Sequence, residues 1–222
     1  MIADLLTATL AEEIAAAVDL RVFVPTTPAT EVAAKAAQEL GAAGLALARG
    51  FTDLDVGQRG SVMDVFTLLR RGRLGVAVAP IQLDAAGRTN LSGIGPVGQP
   101  KAAMIGPRGL TENNDTPSPL WYLLATHSSR ALVGRVDMIC GPAPSGIGPR
   151  VLLTPAGRFE LRNGGWVATW LTPGGEELIA GAPEFTINVP AGTPIRDAAD
   201  AATVAVLDRV DPSGKRKREF GE

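Results

Sequence analysis

The stretch LRVFVPTTPATEVAAKAAQELGAAGLALARG, residues 20–50, decides the fold. It holds two short apolar runs, at residues 20–24 and 45–48, each with the length and composition of a buried strand. Between them, residues 31–40 predict a helix. A strand, a helix and a second strand in this order are typical of a parallel sheet with a crossover helix. This stretch therefore predicts an α/β fold.

The same stretch carries signals for the ends of its helix. Thr30 is the expected N-cap, because a threonine hydroxyl can accept a hydrogen bond from an N–H group of the first turn. Gly41 and Gly44 are expected to stop the helix. The second strand of this unit would then deliver Ala48 and Arg49 to the edge of the sheet, where ligands bind in open α/β folds.

The rest of the chain predicts further helices and many short strands. Helices are expected at residues 3–18, 62–71 and 195–208, and strands at residues 74–79, 102–105, 131–134, 136–140, 150–154, 158–161, 166–170 and 185–188. We expect an α/β fold with a mixed, mainly parallel sheet and flanking helices. One domain is expected at residues 1–210, followed by a charged C-terminal tail at residues 211–222.

Composition excludes several classes of function. The chain has 222 residues, a formal net charge of −2, one cysteine (Cys140) and one histidine (His127). The charge gives no reason to expect nucleic acid or a membrane as a partner. A single cysteine and a single histidine exclude an internal disulfide and a multi-histidine metal site. Cys140 lies in an apolar run and is expected to be a small buried hydrophobe in a cytoplasmic protein.

A first candidate site is APIQLDAAGRTNLSGIG at residues 79–95. Asp84 and Gly87 predict a type I turn, in which the aspartate caps its own turn. Gln82 and Asn90 are polar residues directly after a buried strand, and the turn alone does not explain them. They are candidates for contact with a ligand.

A second candidate site is IGPRGLTENNDTPSPLWYLL at residues 105–124. Gly106 and Gly109 allow backbone N–H groups to approach a ligand, and Arg108 offers a fork for phosphate or carboxylate. Glu112 is a candidate general acid or base, and Asn113 follows it. A functional loop and a plain surface loop both fit this composition.

The segment THSSR at residues 126–130 contains serines beside His127, the single histidine on which a hydrolase triad in this chain would depend. There is no GxSxG elbow, and sequence neighbours do not have triad geometry. A structural histidine is the favoured interpretation.

Together these motifs resemble the beta subunit of class I CoA-transferases of the glutaconate type. The run PIQLDAAGRTNLSGIG is similar to the family's GAxQxDxxGNxN segment, and QPKAAMIGPRGLTENN to its proline-lysine strand and glycine loop. SPLWYLLATHSSRALVGRVDMICGP and RVLLTPAGRFEL follow in the family's order, and the resemblance covers residues 20–220. The pattern is especially similar to the beta subunit of the actinobacterial hydrolase that opens the last steroid rings on CoA thioesters.

The resemblance implies a pocket between an alpha-type and a beta-type subunit, with coenzyme A bound there as part of the substrate and no tightly bound cofactor or metal. It places Gly106, Arg108 and Gly109 near the thioester. By the same comparison, Gln82 and Asn90 line the pocket and Asn113 lies near an asparagine of the hydrolase loop.

One position departs from the glutaconate-type pattern. Members keep Glu-Ser-Gly at the end of the second strand, and the glutamate forms the covalent intermediate. The resemblance places Ala48 at the glutamate and Arg49 at the serine. Alanine cannot form a thioester with coenzyme A. The resemblance therefore implies hydrolysis or retro-Claisen cleavage of a β-keto acyl-CoA, with the main base on the partner and Glu112 as the local candidate.

Two other functions stay open from the sequence. One is a working CoA-transferase whose carboxylate is supplied from elsewhere. The other is a non-catalytic subunit that completes the active site of its partner. Dinucleotide binding is discounted, because no GxGxxG motif follows a strand.

Overall fold

Strands and helices alternate in the first half of the chain, and strands dominate the second half. A computed structural model describes residues 1–49, 53–54, 61–104, 106, 110–145 and 148–222. The helices are α1 (Ile2–Ala16), α2 (Pro28–Glu39), α3 (Val62–Arg70), α4 (Gly175–Ala180), α5 (Ala201–Val210) and α6 (Lys215–Glu219), and a 3₁₀ helix spans Leu110–Asp115. The strands are β1 (Val22–Pro25), β2 (Ala46–Arg49), β3 (Asp53–Leu54), β4 (Leu74–Val78), β5 (Gln82–Asp84), β6 (Thr89–Asn90), β7 (Gly93–Ile94), β8 (Ala102–Ala103), β9 (Leu120–Leu123), β10 (Leu132–Val133), β11 (Arg150–Thr154), β12 (Gly157–Arg162), β13 (Gly165–Leu171) and β14 (Ile187–Asn188).

The main sheet is mixed. Within the described residues its strand order is β14-β13-β12-β11-β9-β4-β1-β2-β3. The central strands β2, β1, β4, β9 and β11 are parallel neighbours, while β12 and β13 form an antiparallel hairpin. Two small sheets, β10-β5-β6 and β7-β8, are formed by short strands outside the main sheet. The predicted mixed, mainly parallel sheet with flanking helices is confirmed.

Both faces of the central strands are buried. In β1, Phe23 packs against α1 and α2, whereas Val22 and Val24 belong to the core on the opposite face, next to α3. This alternation is the period of two that a strand imposes on its side chains. None of the described helices is long and apolar enough to cross a membrane.

Helix α2 begins three residues before the predicted start. Thr27, not Thr30, is the N-cap, and Thr30 occupies the third position of a capping box in which each threonine side chain accepts from the other residue's backbone N–H. Pro28 follows the cap at the first helical position, where its fixed φ favours the helix and its missing N–H costs nothing. The N-cap prediction for Thr30 was wrong, because Thr27 and Thr30 both take part in one capping box and Thr27 is the residue that begins it.

The central strand β9 was not predicted as a strand. Residues 120–123 read LWYL, and all four are buried between β4 and β11. A short continuous apolar run bounded by proline is typical of a strand buried on both faces. The strand predicted at residues 136–140 is wrong. This segment forms bends, and the backbone N–H of Cys140 donates to the Thr89 carbonyl at 2.8 Å.

The charged residues predicted as a tail pack onto the helices. The Arg216 side chain is 1% exposed and forms ion pairs with Asp4 at 2.8 Å, Asp208 at 2.5 Å and Asp211 at 3.3 Å. Helix α5 begins at Ala201 rather than residue 195, because the Asp200 side chain accepts from the Thr203 N–H at 3.0 Å and caps it.

Candidate functional site

The parallel strands end together at one edge of the sheet. Their last residues are Pro25, Arg49, Val78, Leu123 and Thr154. Ligands of open α/β sheets bind outside the carboxyl ends of the strands. The candidate residues that the structure describes are therefore best compared by their distance from this edge.

A cleft of about 500 Å³ opens beside the ends of β1 and β2. Ala48 lies in its wall and is 2% exposed. Thr27 at the start of α2 and Lys215 at the start of α6 also line the cleft, as do Glu31 and Lys35, which form an ion pair of 2.6 Å. Position 48 thus contributes a methyl group to a ligand-sized space, with no group there that can attack a thioester.

Gln82 and Asn90 lie side by side after β4. They face each other across the β5–β6 pair, and the Asn90 amide Nδ2 donates to Gln82 Oε1 at 2.7 Å. The Asp137 backbone N–H donates to the same oxygen at 2.9 Å. Both donors fix the orientation of the Gln82 amide, so the group it keeps for a ligand is its NH₂.

A thiol and a hydroxyl complete this polar cluster. Cys140 is buried, and its Sγ accepts from the Leu91 N–H at 3.2 Å and lies 2.9 Å from Ser92 Oγ. It also lies 3.8 Å from Asn90 Oδ1. Cys140 is therefore buried as predicted, but it takes part in hydrogen bonding to the loop that carries Asn90 and does not act as a plain hydrophobe.

The turn after β5 has the predicted chemistry. Asp84 is fully buried, and its Oδ1 accepts from the backbone N–H groups of Ala86 and Arg88, each at 3.0 Å. Gly87 has φ +81°, a conformation that favours glycine. Arg88 Nε lies 2.7 Å from Asp84 Oδ2 and neutralises the buried carboxylate. These groups are satisfied within the turn and support the positions of Gln82 and Asn90.

The glycine loop lies partly outside the described residues. Gly106 is described; its φ is +80°, and a methyl group placed on its Cα would lie 3.6 Å from Ser92 Oγ. This places Gly106 beside the polar cluster. Arg108 and Gly109 lie outside the described residues, and of Glu112 only the backbone is described, in the 3₁₀ helix.

Asn113 and Asn114 have opposite environments. Asn113 is 1% exposed, and within the described part of the chain neither its Nδ2 nor its Oδ1 has a hydrogen-bond partner. Asn114 Nδ2 donates to the carbonyls of Gly87 and Pro142, and Asn114 Oδ1 accepts from the Tyr122 hydroxyl at 3.3 Å. Burial raises the pKa of that hydroxyl. Asn114 thus fixes the segment, whereas Asn113 keeps an amide without protein partners.

His127 lies where β9 leaves the sheet. Its Nδ1 is 2.8 Å from Thr154 Oγ1, its ring packs near Phe159, and burial lowers its pKa to about 4. The ring has no carboxylate partner in the described part of the chain. A neutral histidine paired with a threonine is a structural arrangement rather than a triad.

The structure brings together Gln82, Asn90 and Gly106, and it places Ala48 in a separate described cleft. Ser92 and Arg150 were missed by sequence reasoning. Ser92 has no distinguishing neighbour in the sequence. The sequence does set Arg150 apart, because it is a charged residue directly before the apolar run VLLT. Among the described residues, no group of acids, histidines and cysteines could hold a metal ion.

Comparison with known proteins places these features in context. No protein-family model matches the chain. The cholesterol ring-cleaving hydrolase IpdB subunit of Rhodococcus jostii RHA1 is 36% identical over 96 residues. That match covers 43% of this chain and 36% of the relative, so it spans little more than a third of the relative's length.

Solved structures match over nearly the whole chain. The decarboxylase AibA/AibB gives a TM-score of 0.85 at 24% identity and covers 100% of this chain and 99% of its own. IpdAB of R. jostii RHA1 gives 0.82 at 22%, covering 99% and 98%. The glutaconate coenzyme A-transferase of Acidaminococcus fermentans gives 0.77 at 15%, covering 96% of both chains. The chain therefore has the fold of these proteins, and the resemblance drawn from its sequence is confirmed.

Proposed function

We propose that this chain is the beta-type subunit of a two-subunit enzyme that acts on an acyl-CoA thioester without forming a covalent intermediate on this chain. The observation that carries the proposal is Ala48, a buried methyl group in the wall of a cleft at the carboxyl edge of the sheet. The similarity to IpdB, a subunit of a hydrolase, supports a beta-type role with an alpha-type partner.

The proposed reaction is hydrolytic or retro-Claisen cleavage of a β-keto acyl-CoA. A base takes a proton from water as the water oxygen attacks the β-carbonyl carbon. The bond between the α- and β-carbons then breaks, and its electron pair passes into the thioester enolate, which is protonated at the α-carbon. A positioned water and one carboxylate suffice for these steps. We assign the main base to the partner and keep Glu112 as the local candidate.

Residues of this chain would bind and orient the thioester. The Gln82 amide presents its NH₂ group, because its oxygen is already used by Asn90 and Asp137. That group suits a carbonyl or enolate oxygen of the substrate. Gly106, Arg108, Gly109 and Asn113 are proposed to contact the CoA thioester from the glycine loop. Coenzyme A enters as part of the substrate, with no tightly bound cofactor, and we place the reaction in the cytoplasm.

The test uses the complex obtained by affinity purification of this chain with its partner. β-Keto acyl-CoA probes are incubated in H₂¹⁸O and analysed by mass spectrometry. We expect ¹⁸O in the carboxylate product and no thioester on any glutamate of this chain. A borohydride-reducible glutamyl-CoA adduct on this chain would instead establish a transferase.

Substitutions in this chain test whether its role is purely supporting. Gln82→Leu is expected to lower kcat about a hundredfold, the scale for losing one oriented donor. Gln38→Leu is the matched control, since Gln38 Nε2 donates to the Leu45 carbonyl away from the polar cluster. Turnover that survives Gln82→Leu, Arg108→Ala and Glu112→Ala alike would show that the chain only completes the pocket of its partner.

A further inference from the structure

Arg150 is a buried arginine whose hydrogen bonds all go to backbone carbonyls. It is the first residue of β11 and is 2% exposed. Its Nη1 donates to the carbonyls of Ser118 and Pro149, each at 2.9 Å. Its Nη2 donates to the carbonyls of Asn113 at 2.6 Å and Thr116 at 2.9 Å. One guanidinium therefore holds three carbonyls of the segment 113–118.

No carboxylate is paired with this cation in the described part of the chain. Its Nε has no hydrogen-bond partner among the described residues, and burial lowers the pKa of the guanidinium while the charge of Asp115 acts in the opposite direction. Arginine still stays protonated in proteins. A buried charge without a direct ion pair is costly, and the four carbonyl contacts provide hydrogen bonds that offset this cost. Arg216, by contrast, is equally buried and surrounded by aspartates.

A close backbone approach restrains the same segment. A methyl group placed on the Gly148 Cα would lie 2.6 Å from the Pro117 carbonyl oxygen and 2.8 Å from that of Thr116. The Ser118 hydroxyl donates to the Leu69 carbonyl at 2.9 Å. The residues leading into β11 thus clamp the segment at two positions, Gly148 and Arg150.

The clamped segment carries the unpaired Asn113 amide. Arg150 holds the Asn113 carbonyl, while no described residue is a partner of the side-chain amide of Asn113. Each buried polar group left without a hydrogen bond costs about 1–3 kcal/mol. The backbone of Asn113 is therefore held by a charged hydrogen bond, whereas its side chain is left unsatisfied within the described residues.

We propose that Arg150 is a positioning residue that sets the segment 113–118, so that the Asn113 amide meets the acyl-CoA. The assignment of the ligand rests on the proposed function, whereas the positioning rests on the contacts of Arg150 alone. Arg150 acts through the backbone of the segment and does not touch the ligand.

Amide hydrogen exchange measures the positioning directly. Arg150→Met is expected to speed exchange in residues 110–118 about tenfold or more, by freeing the segment to open locally, and to leave α1 and α2 unchanged. Arg150→Lys keeps the charge with fewer donors and should restore part of the protection. The matched control is Arg162→Met, since Arg162 is half-exposed and pairs with Glu160 on the same part of the sheet.

The outcomes separate the possible roles. Unchanged exchange in residues 110–118 would overturn the proposal, as would an equal rise across β9, β11 and the helices, which indicates a general loss of stability. If Arg150→Met does not fold, Arg150→Lys alone decides by the same comparison with Arg162→Met.

Calorimetry with coenzyme A tests the ligand on the purified complex. We expect Arg150→Met and Asn113→Leu to weaken coenzyme A binding to a similar extent, about tenfold, and the double variant to add little, because both act on one contact. Additive losses would overturn the link between the two residues. If the unaltered complex does not bind coenzyme A while exchange responds as expected, the proposed function fails and the positioning role stands.

Discussion

Two regions of the molecule treat their polar groups in opposite ways. Where the C-terminal segment 208–222 meets α1 and α2, charges are matched: Arg216 is surrounded by Asp4, Asp208 and Asp211. Around β9 and β11, by contrast, the Asn113 amide, His127 Nε2 and Arg150 Nε are buried without hydrogen-bond partners among the described residues.

The difference shows which part of the chain is complete by itself. The C-terminal region pairs its buried Arg216 with three aspartates, as a region that only supports the fold should. The candidate site retains unsatisfied groups, which are characteristic of positions that a ligand or partner fills. Four substitutions test this contrast, from the largest expected effect to the smallest.

Arg216→Met should cause the largest loss of stability. It leaves the side chains of Asp4 and Asp211 in the interior without their cation, and breaking a buried ion pair costs about 3–5 kcal/mol. Urea unfolding followed by tryptophan fluorescence measures the free energy of unfolding. Arg209→Met is the control, because Arg209 pairs with Glu39 at the surface and should lose under about 1 kcal/mol. Equal losses in both variants would show that the buried ion pairs of Arg216 contribute no more to the free energy of unfolding than a surface pair does.

The pH dependence of stability should reveal the buried neutral His127. Burial lowers its pKa from 6.5 to about 4, so the unfolded chain binds the proton more readily between these values. The stability from neutral His127 is therefore fully present above pH 6.5 and falls as the pH drops towards 4, by at most about 3 kcal/mol. His127→Asn removes this titration and keeps a polar group near Thr154. If the free energy of unfolding changes equally in the two proteins from pH 6.5 to 4.5, the interpretation of His127 as a buried neutral ring is contradicted.

Asn113→Leu should stabilise the chain by about 1 kcal/mol, since an apolar group of similar shape removes an unsatisfied amide. Asn114→Leu is the matched control and should destabilise by about 2 kcal/mol, because Asn114 bonds Gly87, Pro142 and Tyr122. Thermal and urea unfolding give both values. A destabilised Asn113→Leu protein would mean that the fold itself supplies a partner for this amide.

Glu219→Gln should have the smallest effect. Its Oε2 accepts from the Ala29 N–H at 2.7 Å in the first turn of α2, where a negative charge is favoured by about 0.5 kcal/mol. The loss should shrink as salt is raised. Exposed Glu184 provides the control, and Glu184→Gln should leave the free energy of unfolding unchanged. A salt-independent loss at Glu219 would point to packing rather than charge.

The sequence predicted those parts of the fold whose signals are local. The β1-α2-β2 unit follows from runs of four to twelve residues, and Asp84–Gly87 formed the expected turn. Strand β9 was missed because its burial depends on two neighbouring strands, which composition alone does not reveal. The N-cap was misplaced by three residues because Thr27 and Thr30 both take part in one capping box.

The candidate site was predictable only where residues are close in sequence. Gln82 and Asn90 are separated by eight positions and meet across a hairpin. The contact of Ser92 with Cys140 joins residues 48 positions apart, and Arg150 reaches Asn113 across 37 positions. Such pairings depend on the path of the whole sheet. Asn113 was predictable from the resemblance to known proteins, whereas the clamp formed by Arg150 has no counterpart in the sequence pattern.

The C-terminal glutamates have a consequence for the order of events during folding. Glu222 accepts from the Ile2 N–H, 220 positions earlier, and Glu219 serves α2 in the same way. The first two helices leave the ribosome long before these carboxylates exist. The first turns of these two helices can gain these hydrogen bonds only after residues 219–222 have been synthesised, and such distant contacts form slowly. Until then water binds the N–H groups at the starts of both helices, and closure of these two contacts is a late step in folding.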